Sequence, residues 1–491
     1  MQTTRIIHAA GLVLLLGYLI LSWIGIRAGL DSLDAYGVIR TVTERLQTGD
    51  FVMSRPPGHP LSEFWILPAV AWMADGGKSL STETYAFYQL AGGLFCLGLF
   101  WLLLRELALT PAQRLLAATC LVFSPQFLIE SSDGEEFLWG TAFILAVVLL
   151  MAKLSAGKMG RPRLGWCVAV ASAVAASGYR IEFGVIALGI VFWTLLASDR
   201  NWIERFGLGV LAVVLFTLLW GPLWLSQGAR TPYPNVLEPQ VRLGVALYKI
   251  VFLALGAIPM AVAGVFFMQT RGPFRIWPPF GQDILRYWVP WLVVICFGIF
   301  LVYPTKVQVV FPGVAFLILL MATRAQRWLW AGFVVACLST LLLQVDCFDH
   351  RAWVGFKVKP GLWEESLSGK PAYQGAKLAE ASRLAGEGRH VFIANIWPWT
   401  FSWQAAHGAW PGVALPDGGE GVAYRVGRGI VASRAVVDQP SLLQGFVQKG
   451  YEVWIDREVY RELFMRYALT APTPSTAVIG GVTCRIVEVG L

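Results

Sequence analysis

The chain has 491 residues, of which 56% are hydrophobic and only 14% charged, with a mean hydropathy of +0.59. A soluble chain of this length would carry roughly 25% charge, so the composition excludes a soluble enzyme, a disordered chain and a disulfide scaffold. It points to a polytopic membrane protein. The 39 Lys and Arg against 31 Asp and Glu give a net charge of +8, with no block basic enough for nucleic acid; in a membrane protein such an excess collects in cytoplasmic loops.

Arg5 followed by the apolar run Ile6 to Ile26 resembles a signal peptide, but further spans come after it, so it reads as an uncleaved first transmembrane helix. Apolar runs long enough to cross fall near 6–27, 85–104, 112–130, 137–152, 164–179, 183–198, 207–225, 243–267, 287–303, 307–322 and 328–345, eleven in all. The stretch 61–74 is ambiguous: it is short, with Glu63 near its start and Pro68 inside. If it lies along the membrane surface and the N-terminus is cytoplasmic, fourteen Lys and Arg fall inside against eight outside; if it crosses, six fall inside against sixteen. The positive-inside rule selects the surface placement. Five of the seven cysteines lie in apolar runs as small core residues; a disulfide between Cys347 and Cys484 has no spacing to support it.

After Val345 the composition changes. Residues 346–491 carry 29 charges in 146 positions, against 41 in the 345 before them. Strand-like runs at 390–394, 429–432, 451–455 and 482–489 alternate with helical stretches at 372–386, 440–449 and 456–467, the pattern of an α/β domain. The glycine-rich segment 408–429 reads as a long irregular loop and lacks the strand–GxGxxG–helix context of a nucleotide site. The expected architecture is therefore a polytopic α-helical membrane domain, 1–345, with about eleven spans, and a soluble α/β domain, 346–491. An odd number of spans from a cytoplasmic N-terminus places the latter outside.

Charged residues are scarce within the runs, where only Lys249 lies well inside one, and gather instead at the outer ends: Asp31, Asp34, Arg55 and His59; Glu130, Asp133, Glu135 and Glu136; Arg180 and Glu182; and Lys306. Solvated loops with ordinary charges are the plain alternative, but Arg180 and Glu182 occupy a very short connection, where solvated residues are more often Gly, Ser or Asn. From Asp34 the sequence places Val38, Ile39, Val42 and Leu46 on one helical face and Arg40, Thr43, Glu44 and Gln47 largely opposite, an amphipathic surface helix. Asp34 sits at its N-terminal end, where the dipole favours a carboxylate; a helix cap is the simpler role. Pro56, Pro57 and Pro60 then enforce a rigid turn flanked by Arg55 and His59, a stiff mount for groups that hold a phosphate.

An Asp at the end of the first span, a surface helix, Gly49-Asp50, a Pro-Pro turn and a second surface segment together resemble the first periplasmic loop of GT-C superfamily glycosyltransferases, nearest in kind to the aminoarabinose lipid A transferase and protein O-mannosyltransferase branches. The resemblance implies inverting transfer of a sugar from a polyprenyl-phosphate carrier to a glycan, lipid or protein acceptor on the outer face of the inner membrane, with Asp34 as general base. The partner acid usual in the family is Ala35 here, a departure from its pattern; Asp31 lies one helical turn earlier in the sequence. The acids Asp133, Glu135 and Glu136 fall where relatives carry a second acidic motif, and Lys306 resembles a late-loop residue that contacts the donor phosphate. Arg55, His59, Arg180 and Glu182 complete the expected substrate-binding set. Some branches hold a divalent metal such as Mg or Mn, for which Asp31 with Asp133 or Glu135 would serve. Two rival classes remain: a transporter or flippase of lipid-linked sugars, which predicts broken spans with mid-depth polar groups, and a non-catalytic scaffold, in which the outer acids need not converge.

Overall fold

In a computed structural model of the chain, the structure describes residues 2–28, 33–50, 58–133, 136–227, 239–269, 284–302, 307–349, 352–361, 370–395, 412–415, 422–464 and 474–487. The backbone divides into two units, Met1–Val345 with Lys359–Trp363 and Asp346–Val358 with Glu364–Leu491.

The first unit is helical: α1 (Gln2–Ala28), α2 (Leu33–Thr48), α3 (Leu67–Ala74, preceded by a π-helical turn, Leu61–Ile66), α4 (Thr82–Glu106), α5 (Pro111–Val122), α6 (Pro125–Asp133), α7 (Phe137–Ser155), α8 (Pro162–Tyr179), α9 (Ile181–Leu196), α10 (Trp202–Gln227), α11 (Pro239–Tyr248, continued by π-helical Lys249–Ala254), α12 (Ala257–Gln269), α13 (Ile284–Val302), α14 (Phe311–Arg324) and α15 (Arg327–Ser339). α7 packs against α4, α8 and α9, while α14 packs on α13 and α5. Every residue of α14 from Phe311 to Ala322 is buried, as expected of a helix that is apolar on all sides.

Among the described residues, five helices are long and apolar enough to cross a membrane, and seven if each of two bent pairs is one span, so the chain is an integral membrane protein. Not every one of the eleven apolar runs is a single long helix among the described residues. The helices Ile181–Leu196 and Arg327–Ser339 are apolar but short, with 16 and 13 residues. The 112–130 run is bent by 63° between α5 and α6, and the 243–267 run by 107° before α12. Pro125 disfavours helix at Ser124, and Gly256 takes φ +99°, which only glycine adopts cheaply. Polar side chains lie against the carbonyls at the bends: Thr340 Oγ1, whose shorter contact (2.7 Å) is with Cys337 O, stands 3.3 Å from Phe123 O, and Gln126 Nε2 donates to Leu253 O (2.9 Å). The run 328–345 stops being helical at Ser339, and Leu343–Asp349 forms a strand instead. Residues 61–74 make one short helical stretch, about 21 Å at 1.5 Å per residue, less than the roughly 30 Å hydrocarbon core.

The second unit is an open sheet covered on both faces. After the hairpin β1 (Leu343–Asp349) and β2 (Ala352–Pro360) come α16 (Lys370–Gly386), β3 (His390–Ala394), β4 (Val413–Ala414), β5 (Ala423–Val426), β6 (Gly429–Ser433), α17 (Pro440–Gln448), β7 (Glu452–Asp456), α18 (Arg457–Phe464), β8 (Thr476–Ile479) and β9 (Val482–Val487). Strand order is β4-β5-β6-β3-β7-β9-β8, with β6, β3, β7 and β9 parallel and both edges antiparallel. Side chains alternate across β3: Val391 and Ile393 meet Leu443, Phe446 and Val459, whereas Phe392 and Ala394 meet Leu378, Ala381 and Ala385 of α16. A strand buried on both faces is apolar throughout. The segment expected to be an irregular loop holds β4 and β5; residues 408–411 and 416–421 lie outside the described residues.

At the carboxyl end of β7 Asp456 is buried and accepts from the Glu458 N–H (2.9 Å), while Glu458 takes Lys377 as an ion-pair partner and a hydrogen bond from Asn395 Nδ2 (3.2 Å). Burial pushes the Asp456 carboxyl above the usual carboxylate range, and the nearby Glu458 charge adds to the rise. A carboxyl raised in the folded state favours folding below its unfolded value of about 4 and loses that contribution as pH rises through the folded value. Asp456→Asn keeps the acceptor for the Glu458 N–H and removes the ionisation. Thermal unfolding of the full chain from about pH 4 to pH 7 is expected to show the loss of stability with rising pH in the C-terminal transition of wild type, and a smaller loss in the variant.

Candidate functional site

The polar groups of three separate segments meet where α7 begins and α8 ends. His59 precedes Pro60, which starts the π-helical turn, and Glu63 turns back to accept the His59 N–H (3.3 Å). Ser62 Oγ donates to the His59 carbonyl (3.1 Å) and lies 3.5 Å from Glu136 Oε1, which Tyr85 OH also approaches at 3.5 Å. His59 is buried; its Nδ1 donates to the carbonyl of Tyr179 and lies 4.0 Å from Glu136 Oε2. The glycine at 178 makes this closeness feasible: a Cβ there would stand 2.6 Å from Leu61 Cβ and 2.7 Å from Leu219 Cδ2.

Beside this cluster lies a column of rings. Trp139 is 5.1 Å from Tyr88 and 6.2 Å from Tyr179, and the two tyrosine hydroxyls share a 2.8 Å hydrogen bond. Trp139 Nε1 donates to the Tyr88 carbonyl (3.1 Å). Rings held in this way are stiff and leave few buried polar atoms unmet.

Arg180 is the hinge between α8 and α9. It adopts an extended conformation (φ −155°, ψ 131°), closes α8 with its N–H to Ala176 O and opens α9 with its carbonyl to the Phe183 and Gly184 N–H groups. Its guanidinium lies 4.6 Å over the Phe137 ring, and one terminal nitrogen donates to Glu182 (3.3 Å). Nε of Arg180 is buried and has no hydrogen-bond partner among the described residues. A guanidinium with an unused donor next to the end of a polar cluster has the chemistry to hold an anion.

Of the residues expected at the site, His59, Glu136, Arg180 and Glu182 are brought together. His59 faces inward to Tyr179 and Glu136, the placement of an anchor for the turn. Asp34 lies in the first turn of α2, whose Ala35, Val38, Ile39 and Val42 are buried and which packs on the π-helical turn and α3; the Asp34 side chain lies outside the described residues. So do the Asp133 side chain, at the last position of α6, and Asp31, Arg55, Glu135 and Lys306 entirely. Among the described residues no group of three His, Cys, Asp or Glu is arranged to hold a metal. Sequence reasoning missed Tyr85, Tyr88 and Tyr179. The first two stand three apart in Tyr85-Ala-Phe-Tyr88, a helical spacing that puts both on one face.

Gly178→Ala is expected to destabilise the protein by about 1–3 kcal/mol, the usual penalty of overpacking, because the methyl would collide with Leu61 and push the first-loop turn off α8. Gly189→Ala, which meets nothing within 4 Å, is expected to leave stability unchanged. Thermal unfolding in detergent distinguishes the two.

No family model matches the chain, and no curated protein matches it. Two solved structures are similar, both of ArnT from Cupriavidus metallidurans. The one bound to undecaprenyl phosphate shares 16% identity at a TM-score of 0.43, over 76% of this chain and 65% of its own length. The apo form shares 12% at a TM-score of 0.35, over 78% of this chain and 82% of its own. This chain thus spans less than two thirds of the length of the first.

Proposed function

We propose that the chain is a membrane glycosyltransferase that moves a sugar from a polyprenyl-phosphate carrier to an acceptor hydroxyl or amine with inversion. The observation that carries this reading is the partly buried Arg180, which commits one terminal nitrogen to Glu182 and keeps a buried Nε donor unused beside the His59–Glu136 cluster. The resemblance of the first loop supplies the reaction type. In the proposed step Asp34 takes the proton of the acceptor, the acceptor atom attacks the anomeric carbon, and the bond from that carbon to the phosphate oxygen breaks. The carrier phosphate leaves with its negative charge, which Arg180 stabilises together with Arg55 and Lys306. Asp34 suits the part because the N-terminus of a helix favours an ionised carboxylate at its first turn. We place the substrate face outside the inner membrane, from the charge balance of the loops.

A transporter of lipid-linked sugars is the second reading, and the two bent spans favour it. Reconstituted protein given a radiolabelled polyprenyl-phosphate sugar separates the two. A transferase releases free polyprenyl phosphate and labels an acceptor; a transporter moves the intact donor between leaflets.

Asp34→Asn is expected to lower transfer by at least about a hundredfold, the smaller cost of losing a general base, with expression unchanged. Asn caps a helix as well as Asp, so a residue that only caps would leave the rate near wild type. Arg180→Gln is expected to raise the KM for the donor by about tenfold to a hundredfold, the loss of one charge-assisted hydrogen bond, with little effect on the KM for the acceptor. Steady-state kinetics with each substrate varied in turn checks both.

A further inference from the structure

Gln89 is an amide shut inside the helical unit with nothing to bond to. It lies on α4, wholly buried, and neither its Nε2 nor its Oε1 has a hydrogen-bond partner among the described residues. α4 is one of the helices long and apolar enough to cross a membrane. An amide removed from water without compensation is costly to bury, and hydrocarbon offers it neither donor nor acceptor. Most buried polar groups that lack a protein partner are met by ordered water.

Two contacts set the register of α1 on α4. A Cβ on Gly93 would collide with the Tyr18 hydroxyl, and the Trp23 ring lies 5.9 Å from that of Phe87. Going up the numbering of α1 therefore goes down that of α4. Ser22, one turn after Tyr18, comes level with Gln89, one turn before Gly93, and this spacing keeps each on the face that carries the Tyr18–Gly93 contact. Ser22 is also wholly buried. Its hydroxyl stands beside that of Tyr18, yet it meets the geometry of a hydrogen bond with no group. Tyr18 OH donates to Ser131 Oγ (2.9 Å), so the Tyr18 oxygen keeps a lone pair for another donor.

We propose that ordered water is bound between α1 and α4, bridging the Ser22 hydroxyl, the Gln89 amide and the Tyr18 oxygen. Water carries both of the functions these groups lack. Its oxygen accepts from the Ser22 hydroxyl and from Gln89 Nε2, and its O–H groups donate to Gln89 Oε1 and to Tyr18. A buried water usually makes about three such bonds, which the three side chains can supply. All of them are neutral, so the site suits an uncharged ligand rather than an ion. It adjoins the His59–Glu136 cluster: Tyr85, one turn before Gln89 on α4, brings its hydroxyl to 3.5 Å from Glu136 Oε1. The inference is independent of what the chain catalyses.

Radiolytic footprinting of the full-length protein in lipid nanodiscs tests it. Synchrotron X-rays turn water into hydroxyl radicals where it stands, and these oxidise adjacent side chains before they can diffuse. A tyrosine sealed in the bundle is thus labelled quickly only if water is bound beside it. Mass spectrometry compares Tyr18 with Phe316, a ring equally buried in α14, each rate corrected for intrinsic reactivity. The expected rate at Tyr18 is several-fold that at Phe316, and it falls to the Phe316 level in Gln89→Met, which keeps an unbranched side chain and removes the amide. Labelling of wild-type Tyr18 no faster than Phe316 overturns the proposal, since the side chains would then close on one another in a dry contact. So does a fast rate that is unchanged in Gln89→Met, which would put the water elsewhere. If Gln89→Met fails to fold, Ser22→Ala removes the partner on the other helix and is read in the same way.

Discussion

A histidine ring shut away from water needs a partner for the N–H it carries, and His59 Nδ1 finds one in the Tyr179 carbonyl, with the Glu136 carboxylate 4.0 Å away. Those two groups belong to the end of α8 and the start of α7, so one side chain fixes the first loop against two helices. The rest of the cluster depends on that contact. Ser62 and Tyr85 complete the surroundings of Glu136, and the glycine at 178 clears the path for Leu61. Arg180 comes directly after the carbonyl that His59 holds, so its extended conformation, and with it the direction of its guanidinium, depends on the same anchor. A buried carboxylate is costly unless hydrogen-bonded, which gives this group of residues a strong preference for one arrangement.

The helices around it are interrupted where a membrane protein can tolerate interruption least. Inside a bilayer no water is available for a freed carbonyl. A polar side chain from elsewhere in the bundle accordingly stands at each bend: Thr340 at the α5–α6 bend and Gln126 at the bend before α12. The same Thr340 also presses close to Gly256, where a Cβ would stand 2.9 Å from its methyl. The two bends thus share neighbours.

The C-terminal unit obeys the different constraint of a parallel sheet. Each central strand must bury both faces, and the alternation of Val391 and Ile393 with Phe392 and Ala394 divides the core between α16 on one side and α17 and α18 on the other. Asn395, Asp456, Glu458 and Lys377 form a polar group at the carboxyl ends of β3 and β7, the end at which both strands pass into the segments after them.

Composition and periodicity by themselves determined that this is a membrane protein whose chain after residue 345 alternates strands and helices, and that α2 is amphipathic with Val38, Ile39 and Val42 inward. These properties are local: hydropathy and a 3.6-residue repeat act within one helix. Tertiary structure alone decided where helices stop. The run ending at Val345 is apolar in most of its last turns, yet α15 ends at Ser339 because pairing with β2 takes over from Leu343. The site divided in the same way. The charge of Arg180 and Glu182 in a short connection was visible from the sequence, because unusual residue types in a tight turn stand out. The roles of Tyr85, Tyr88 and Tyr179 were not, because a tyrosine in an apolar helix looks like core until the fold brings another hydroxyl within hydrogen-bond distance.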